Sequence, residues 1–284
     1  MWDLVMDAFI DTVKLLPFLF ITFLIIELLE HKYSKKLEQI TSKSGKIGPV
    51  LGSFLGIFPQ CGFSVVATNL YVVGVISLGT LISIYLSTSD EMLPILISRG
   101  LSWKLIVSVL LVKLIVAIIC GFLIDLISRC RRRRDNISEA LGDICSLEHC
   151  HCERSVWKSS LKHTINIGLF IFVVTICLNL VFDYIGIDEL SKVFSGNNFL
   201  AIIISGLLGL IPNCGASVVI TELYLNKVIS FAPFITGLFT GSGVAILVLF
   251  RTNHNFKDSL KVVMLLYIVS VISGFLIDMI VSLL

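Results

Sequence analysis

Charge is what this sequence has least of. Charged residues make up 15% of the 284 positions, hydrophobic residues reach 56%, and the mean hydropathy is +0.97. That is too little polar surface for a water-soluble globule, so the bilayer must serve as solvent. A net charge of +2 is too small to mark a nucleic-acid partner, and none is expected. The chain has no Walker A lysine loop, Ser/His/Asp constellation or dinucleotide glycine fingerprint. Neither ATP hydrolysis nor any other enzymatic activity is therefore expected, and no cofactor. A basic leader is missing too: Asp3 and Asp7 stand where a secretory signal carries Lys or Arg, so no cleaved signal is expected. The eight cysteines do not form a disulfide scaffold, because Cys61, Cys120, Cys177 and Cys214 lie in apolar segments and Cys130, Cys145, Cys150 and Cys152 in one basic loop. If that loop is cytoplasmic, its thiols stay reduced.

What the chain does have is long apolar runs. Those at 12–30, 78–98, 104–128, 163–184, 231–250 and 259–283 are each near the ~20 residues that span a hydrocarbon core, and are expected as continuous helices. Two further regions, 48–76 and 199–229, are interrupted by Pro59 and Pro212. Their pieces, roughly 11 to 17 residues each, reach only part-way and read as pairs of short helices. Broken backbone at membrane depth is tolerated only against protein or a polar cavity, so both breaks are expected to line one.

The two interrupted regions are copies. A shift of 153 positions lays Pro59–Ser77 on Pro212–Ser230 without a gap and with twelve of nineteen residues identical. The same shift lays Gly56 on Gly209, and Gly121-Phe122-Leu123-Ile124-Asp125 on Gly274-Phe275-Leu276-Ile277-Asp278. Loop charge sets orientation. Lys32, Lys35, Lys36, Lys43 and Lys46 precede the first hairpin, and Arg129, Arg131–Arg134, Arg154 and Lys158 fill the central loop, which puts both segments inside. Asp3, Asp7 and Asp11, and Asp188 with Glu189 against Lys192, put the N-terminus and the 185–198 loop outside. The expected fold is an all-α integral membrane protein of two inverted repeats, about ten apolar segments in all. Each repeat has three full spans plus a Pro/Gly-broken pair of short helices. Residues 1–128 and 162–284 are the membrane repeats and 129–161 a cytoplasmic loop, with both termini outside a cell inner (plasma) membrane.

At this point the chain resembles a known family, the ten-segment heavy-metal exporters, whose members are called arsenic efflux proteins or manganese transporters. The resemblance covers nearly the whole chain. It rests on Gly52-Ser53-Phe54-Leu55-Gly56 before Pro59-Gln60-Cys61-Gly62-Phe63-Ser64, and on Leu86-Ser87-Thr88-Ser89-Asp90-Glu91 with Pro94. Further support comes from Ile211-Pro212-Asn213-Cys214-Gly215-Ala216-Ser217, from Glu27, Glu30 and His31, and from Cys150-His151-Cys152 before His163-Thr164. It implies export of a metal or metalloid ion across a lipid bilayer, and is compatible with a homo-oligomer.

Asp90 and Glu91 fall near the middle of an apolar run, where an ionised carboxylate costs at least ~2.5 kcal/mol, so they read as cation ligands or proton carriers. The structural alternative is an ion pair with Lys113, itself mid-span. Their repeat-mates are Gly243 and Val244, so the site is asymmetric. Glu222, in the slot of Asn69, brings a third acid on the stripe of Ser217 and Thr221. The alternative is that Glu222 is solvated near the interface. Gln60, Cys61, Asn213 and Cys214 stand at the two proline breaks, and with Ser64, Asn69 and Ser217 farther along they are substrate-binding candidates. Small-residue packing is the alternative for the cysteines.

Carboxylate and carbonyl oxygen suit Mn²⁺, whereas thiolate suits Zn²⁺, Cu⁺ or trivalent arsenic. Asp90, Glu91, Glu222, Cys61 and Cys214 are thus the expected metal ligands of a secondary transporter exporting a divalent metal, manganese first, against protons. Arsenite or organoarsenical efflux is one rival; a metal-sensing or channel-like protein is another. Cys145, His149, Cys150, His151 and Cys152 form an accessory metal-binding tract or a biased linker. Lys113, Glu27, Glu30, His31 and His163 are coupling or entry candidates.

Overall fold

In the computed structural model the described residues are 47–58, 61–89, 92–129, 156–185, 194, 198–253 and 255–283, with scattered positions between 6 and 24. Cys61, Arg129, 156–159, His163, 178–185 and Cys214 are described by their backbone alone. The helices whose bounds the described residues fix are α1 (Gly48–Gly56), α2 (Cys61–Val72), α3 (Leu78–Ser87), α4 (Met92–Ser98) and α5 (Trp103–Arg129), then α6 (Val156–Ile185). They continue with α7 (Asn198–Gly209), α8 (Cys214–Leu225), α9 (Phe231–Thr240), α10 (Ala245–Thr252) and α11 (Phe256–Leu283). Four stretches are long and apolar enough to cross a membrane: Trp103–Ser128, Ser160–Cys177, Phe231–Thr252 and Phe256–Leu283. The duplication is written into the helix boundaries. α2, α3, α4 and α5 start at 61, 78, 92 and 103, and α8, α9, α10 and α11 start at 214, 231, 245 and 256, each 153 residues later.

The runs 78–98 and 231–250, expected as continuous spans, are instead each split, between α3 and α4 and between α9 and α10. Neither split contains a proline; the local chemistry is hydroxyl and glycine. Ser87 and Thr88 return their hydroxyls to carbonyls one turn back, at 2.8 Å to Ser83 and 2.7 Å to Ile84, and the Thr88 amide still bonds the Ile84 carbonyl at 3.0 Å, so the helical ladder runs to Thr88 and stops there. In the second half α9 ends on Gly241, and Gly243 takes φ +57°, a left-handed conformation open to glycine without strain. The starts of the broken helices are capped from a neighbour. The Asp125 carboxylate on α5 accepts from Ser77 Oγ at 2.7 Å and from the Gly79 amide at 2.9 Å, matching negative charge to the N-terminus of α3. Its repeat-mate Asp278 reaches Ser230 through Asn198, by bonds of 2.6 and 2.7 Å.

Each half packs alike. α1 lies along α3 in the same direction, with Gly48 beside Thr80, Gly52 beside Ile84 and Gly56 beside Ser87. α2 lies along α3 in the opposite direction, because Ser64 meets Thr88 and Thr68 meets Tyr85. α1 and α2 are thus two arms of a hairpin that enters and leaves on one side, its tip at the level of the α3–α4 break. α7 and α8 repeat this against α9: Ser205 bonds the Pro233 carbonyl, Gly209 abuts Gly237, and Tyr224 stacks on Phe234. The small residues Gly48, Gly52 and Gly56, with counterparts Ala201, Ser205 and Gly209, allow the close approach on which helix association in lipid depends.

The broken helices form the centre and α5 and α11 the outside. An 18-residue stretch of Phe231–Thr252 is 83% buried, against 28% for stretches of the same length in α5 and α11. The exposed stripe Val107, Leu111, Ile115, Ile119 and Leu123 on α5 recurs as Leu260, Met264, Ile268, Ile272 and Leu276 on α11. An apolar stripe of that length faces lipid. On the inner side of α5, a Cβ at Gly121 would collide with Ser83 Oγ and sit 2.9 Å from the Gly79 carbonyl oxygen. Gly121→Ala is therefore expected to cost about 1–3 kcal/mol by overpacking. Leu123→Ala, on the lipid face, should melt within a degree or so of the wild type in detergent, while Gly121→Ala should melt clearly lower.

Contacts between halves are reciprocal. α2 packs on α10 and α8 on α4; α3 packs on α11 and α9 on α5; α3 also meets α9. Two bonds join opposite ends of the halves. Tyr71, at the base of the first hairpin, donates to Asp258 at the α10–α11 turn at 3.1 Å. Arg99, at the α4–α5 turn, donates to Glu222 near the base of the second hairpin at 2.7 Å. On α5 and α11 the equivalent residues Cys120 and Ser273 touch at 3.9 Å.

Candidate functional site

The hairpin arms and the helix breaks come together in a buried, oxygen-rich zone. Ser64 Oγ and Thr88 Oγ1 share a hydrogen bond of 2.9 Å, Thr68 Oγ1 and Tyr85 Oη one of 2.6 Å, and Thr68 also donates to the Ser64 carbonyl at 2.7 Å. All four side chains are buried. Thr88 follows the last residue of α3, so the hydroxyl ladder from α2 ends on the unwound segment itself. In the second half Asn213 caps α8 by accepting from the Gly215 amide at 3.3 Å, Thr221 donates to the Ser217 carbonyl at 2.7 Å, and Thr240 to the Gly237 carbonyl at 3.0 Å. Of the four buried polar side-chain atoms with no hydrogen-bond partner among the described residues, Asn69 Nδ2 lies on α2 and Ser242 Oγ at the α9–α10 break, the other two being the Ser259 and Ser270 hydroxyls on α11. Such atoms cost about 1–3 kcal/mol if left unmet.

Lys113 ties the halves together. Its side chain is fully buried, and its Nζ donates to the Thr88 carbonyl at 2.6 Å and to the Leu238 carbonyl at 2.8 Å, with the Phe239 ring centroid 6.0 Å away. Those carbonyls belong to the C-terminal ends of the two half-helices α3 and α9, where partial negative charge concentrates. Sequence reasoning marked the buried lysine and named Asp90 or Glu91 as its partner, which lie outside the described residues; the two backbone acceptors carry no sequence signature. It also missed Thr68, Tyr85, Thr88, Ser242 and Arg99, which only the packing of separate helices brings into view.

Of the expected site residues, Ser64, Asn69, Asn213 and Ser217 are buried on or beside the hairpin arms, and Cys61 and Cys214 are the first residues of α2 and α8. Glu222 lies farther along α8, and its carboxylate is engaged by Arg99, whose side chain is 60% exposed. An exposed ion pair of this kind is worth about 0.2–1 kcal/mol. A double-mutant cycle with Arg99→Gln and Glu222→Gln should return a coupling of that size in low salt and less in high salt. Gln60, Asp90, Glu91, Glu27, Glu30, His31, Cys145, His149, Cys150, His151 and Cys152 lie outside the described residues, and of His163 only the backbone is described. Among the described residues no three His, Cys, Asp or Glu side chains gather as a metal site. What those residues offer there is neutral oxygen and one ammonium.

No curated protein and no solved structure matches the chain. A family model described as "Putative, 10TM heavy-metal exporter" matches residues 2–183 and again 164–282, which together take in every helix above but the last residue of α11. The buried break zone between lipid-facing helices is the kind of interior through which a membrane transporter passes an ion. The chain belongs to this heavy-metal exporter family, as a multi-pass, all-helical membrane protein.

Proposed function

We propose that the chain exports a divalent metal, manganese first, in exchange for protons, by alternating access between two inverted halves. The observation that carries this reading is the pair of helix breaks at equivalent positions, meeting in a buried zone of hydroxyl and carbonyl oxygen. Discontinuous helices whose ends converge at a repeat interface are how secondary transporters build cation sites. Oxygen donors suit Mn²⁺ better than thiophilic ions. Asp90 and Glu91 follow Ser89 in sequence and precede α4, and in this reading they supply the charge the neutral oxygens lack. Gln60 and Asn213 complete the site with Ser64, Asn69 and Ser217, and Cys61 and Cys214 are accessory. Glu222, paired with Arg99, serves as a latch before it serves as a ligand.

Inversion draws support from the Tyr71–Asp258 and Arg99–Glu222 bonds, which tie each hairpin base to the far turn of the other half. Parallel halves would bring base to base. With Arg129 and the following arginines inside, the first hairpin base and the α10–α11 turn face the cytoplasm, while the second base, the α4–α5 turn and both termini face outward. In this reading Glu27, Glu30, His31 and His163 are the entry residues, and the Cys145–Cys152 tract is a capture element.

Proton exchange is tested in proteoliposomes loaded with buffer more acidic than the bath. Such a gradient should drive Mn²⁺ accumulation that a protonophore abolishes; accumulation indifferent to both would remove the proton from the mechanism. Arsenite efflux is the second reading, supported by the cysteine that opens a half-helix in each repeat.

A further inference from the structure

A fully buried lysine whose ammonium joins two backbone carbonyls is an unusual economy. Burying a cation costs several kcal/mol unless its donors are satisfied, and a structural tie between α5 and the α3–α4 break would need no charge. The geometry around Lys113 is that of an ion site. Two carbonyl oxygens, at 2.6 and 2.8 Å from Nζ, come from the C-terminal ends of two separate half-helices, one from each repeat. The dipoles of both helices end there. An aromatic ring stands at 6.0 Å, and the hydroxyl of Thr88 is on the residue that supplies the first carbonyl. Unwound carbonyls and half-helix C-termini at a repeat interface are the groups that coordinate a bare alkali cation in membrane transporters.

We propose that Lys113 is the built-in occupant of an alkali-cation site. Its ammonium fills the place between the ends of α3 and α9 that a sodium-sized ion would take, so the exporter cycles without an alkali cation. The ammonium is tethered to α5, so charge at the junction of the halves is present in every molecule whatever the salt outside. This inference rests on the same convergence of the two helix ends that carries the proposed function, and melting reads it without measuring transport, so the two can fail separately.

The test is the thermal stability of the full-length chain in detergent, measured in choline, sodium and potassium chloride at one ionic strength, for wild type and for Lys113→Ala, Lys113→Met and Lys113→Arg. Lys113→Ala opens the site and should melt below wild type in choline. An alkali chloride should restore it: at about a hundred times the ion's dissociation constant, mass action corresponds to a rise of roughly 5–10 °C. Wild type and Lys113→Arg keep their own charge and should melt alike in all three salts. Lys113→Met fills the space without charge and should stay low in all three.

Four results would overturn the proposal. They are a Lys113→Ala protein equally stable in the three salts, one that cannot be recovered folded in any of them, a wild type with the same alkali response, and a Lys113→Met response as large as that of Lys113→Ala.

Discussion

Asp90→Asn is expected to reduce initial Mn²⁺ flux in proteoliposomes by about 10²-fold or more, beyond the loss typical of a group that only supports a ligand. The reason is charge. The described oxygens at the breaks are neutral hydroxyls and carbonyls, and the ammonium of Lys113 is itself a cation. A divalent ion leaving water for that zone needs carboxylate to offset its desolvation. Asp90 and Glu91 are the acids whose sequence positions fall between α3 and α4. Asparagine keeps the size and one oxygen of aspartate while removing the charge, so the substitution isolates that term. Cys61→Ser and Cys214→Ser should each leave most of the flux, because serine keeps a small polar group and Mn²⁺ gains little from sulfur. The reverse pattern, full flux with Asp90→Asn and none with the serine variants, would transfer the cargo to a thiophile such as trivalent arsenic.

Tethering the two ends of the molecule should have a comparable effect. Tyr71 and Asp258 meet at one end, and Arg99 and Glu222 at the other. Alternating access requires the halves to part at each end in turn. Cysteines placed at 71 and 258, or at 99 and 222, and bridged by a short reducible bifunctional thiol reagent, should lower counterflow at least about tenfold. Reductant should return it. The unbridged 71/258 pair should retain activity, since that latch is a single hydrogen bond, and each bridge is read against its own unbridged variant. If a bridge at both ends at once leaves counterflow intact, these contacts do not move in the cycle.

Much of this architecture was legible in the sequence, because duplication and proline are local signals. The gapless match of Pro59–Ser77 on Pro212–Ser230 anticipated helix starts that repeat at the same spacing, and the two prolines marked the hairpin tips. The breaks after Ser87 and Thr240 were not legible. Hydropathy averaging passes over Ser, Thr and Gly inside an apolar run, and no proline stands there; the second break falls at the left-handed Gly243, while the hydroxyl bond of Thr88 is of the same kind as those of Thr68 and Thr221 in unbroken helices. Asp125 and Asp278 were visible as repeat-mates, but capping the start of a helix 46 residues away is a tertiary fact. The partners of Lys113 were hidden for a further reason. Every residue has a carbonyl, and only the folded chain determines which two are free at a helix end. The Arg99–Glu222 contact was not legible, because no pattern links two residues 123 positions apart.

Counterflow tests the central claim most directly. Proteoliposomes of the full-length chain, preloaded with unlabelled Mn²⁺ and diluted into a trace of labelled Mn²⁺, should accumulate label transiently above equilibrium. Uptake should saturate with external Mn²⁺, and internal arsenite should not substitute for the internal metal. Accumulation driven by internal arsenite and not by Mn²⁺, or flux linear in concentration with no trans-stimulation, would contradict a manganese exporter working by alternating access.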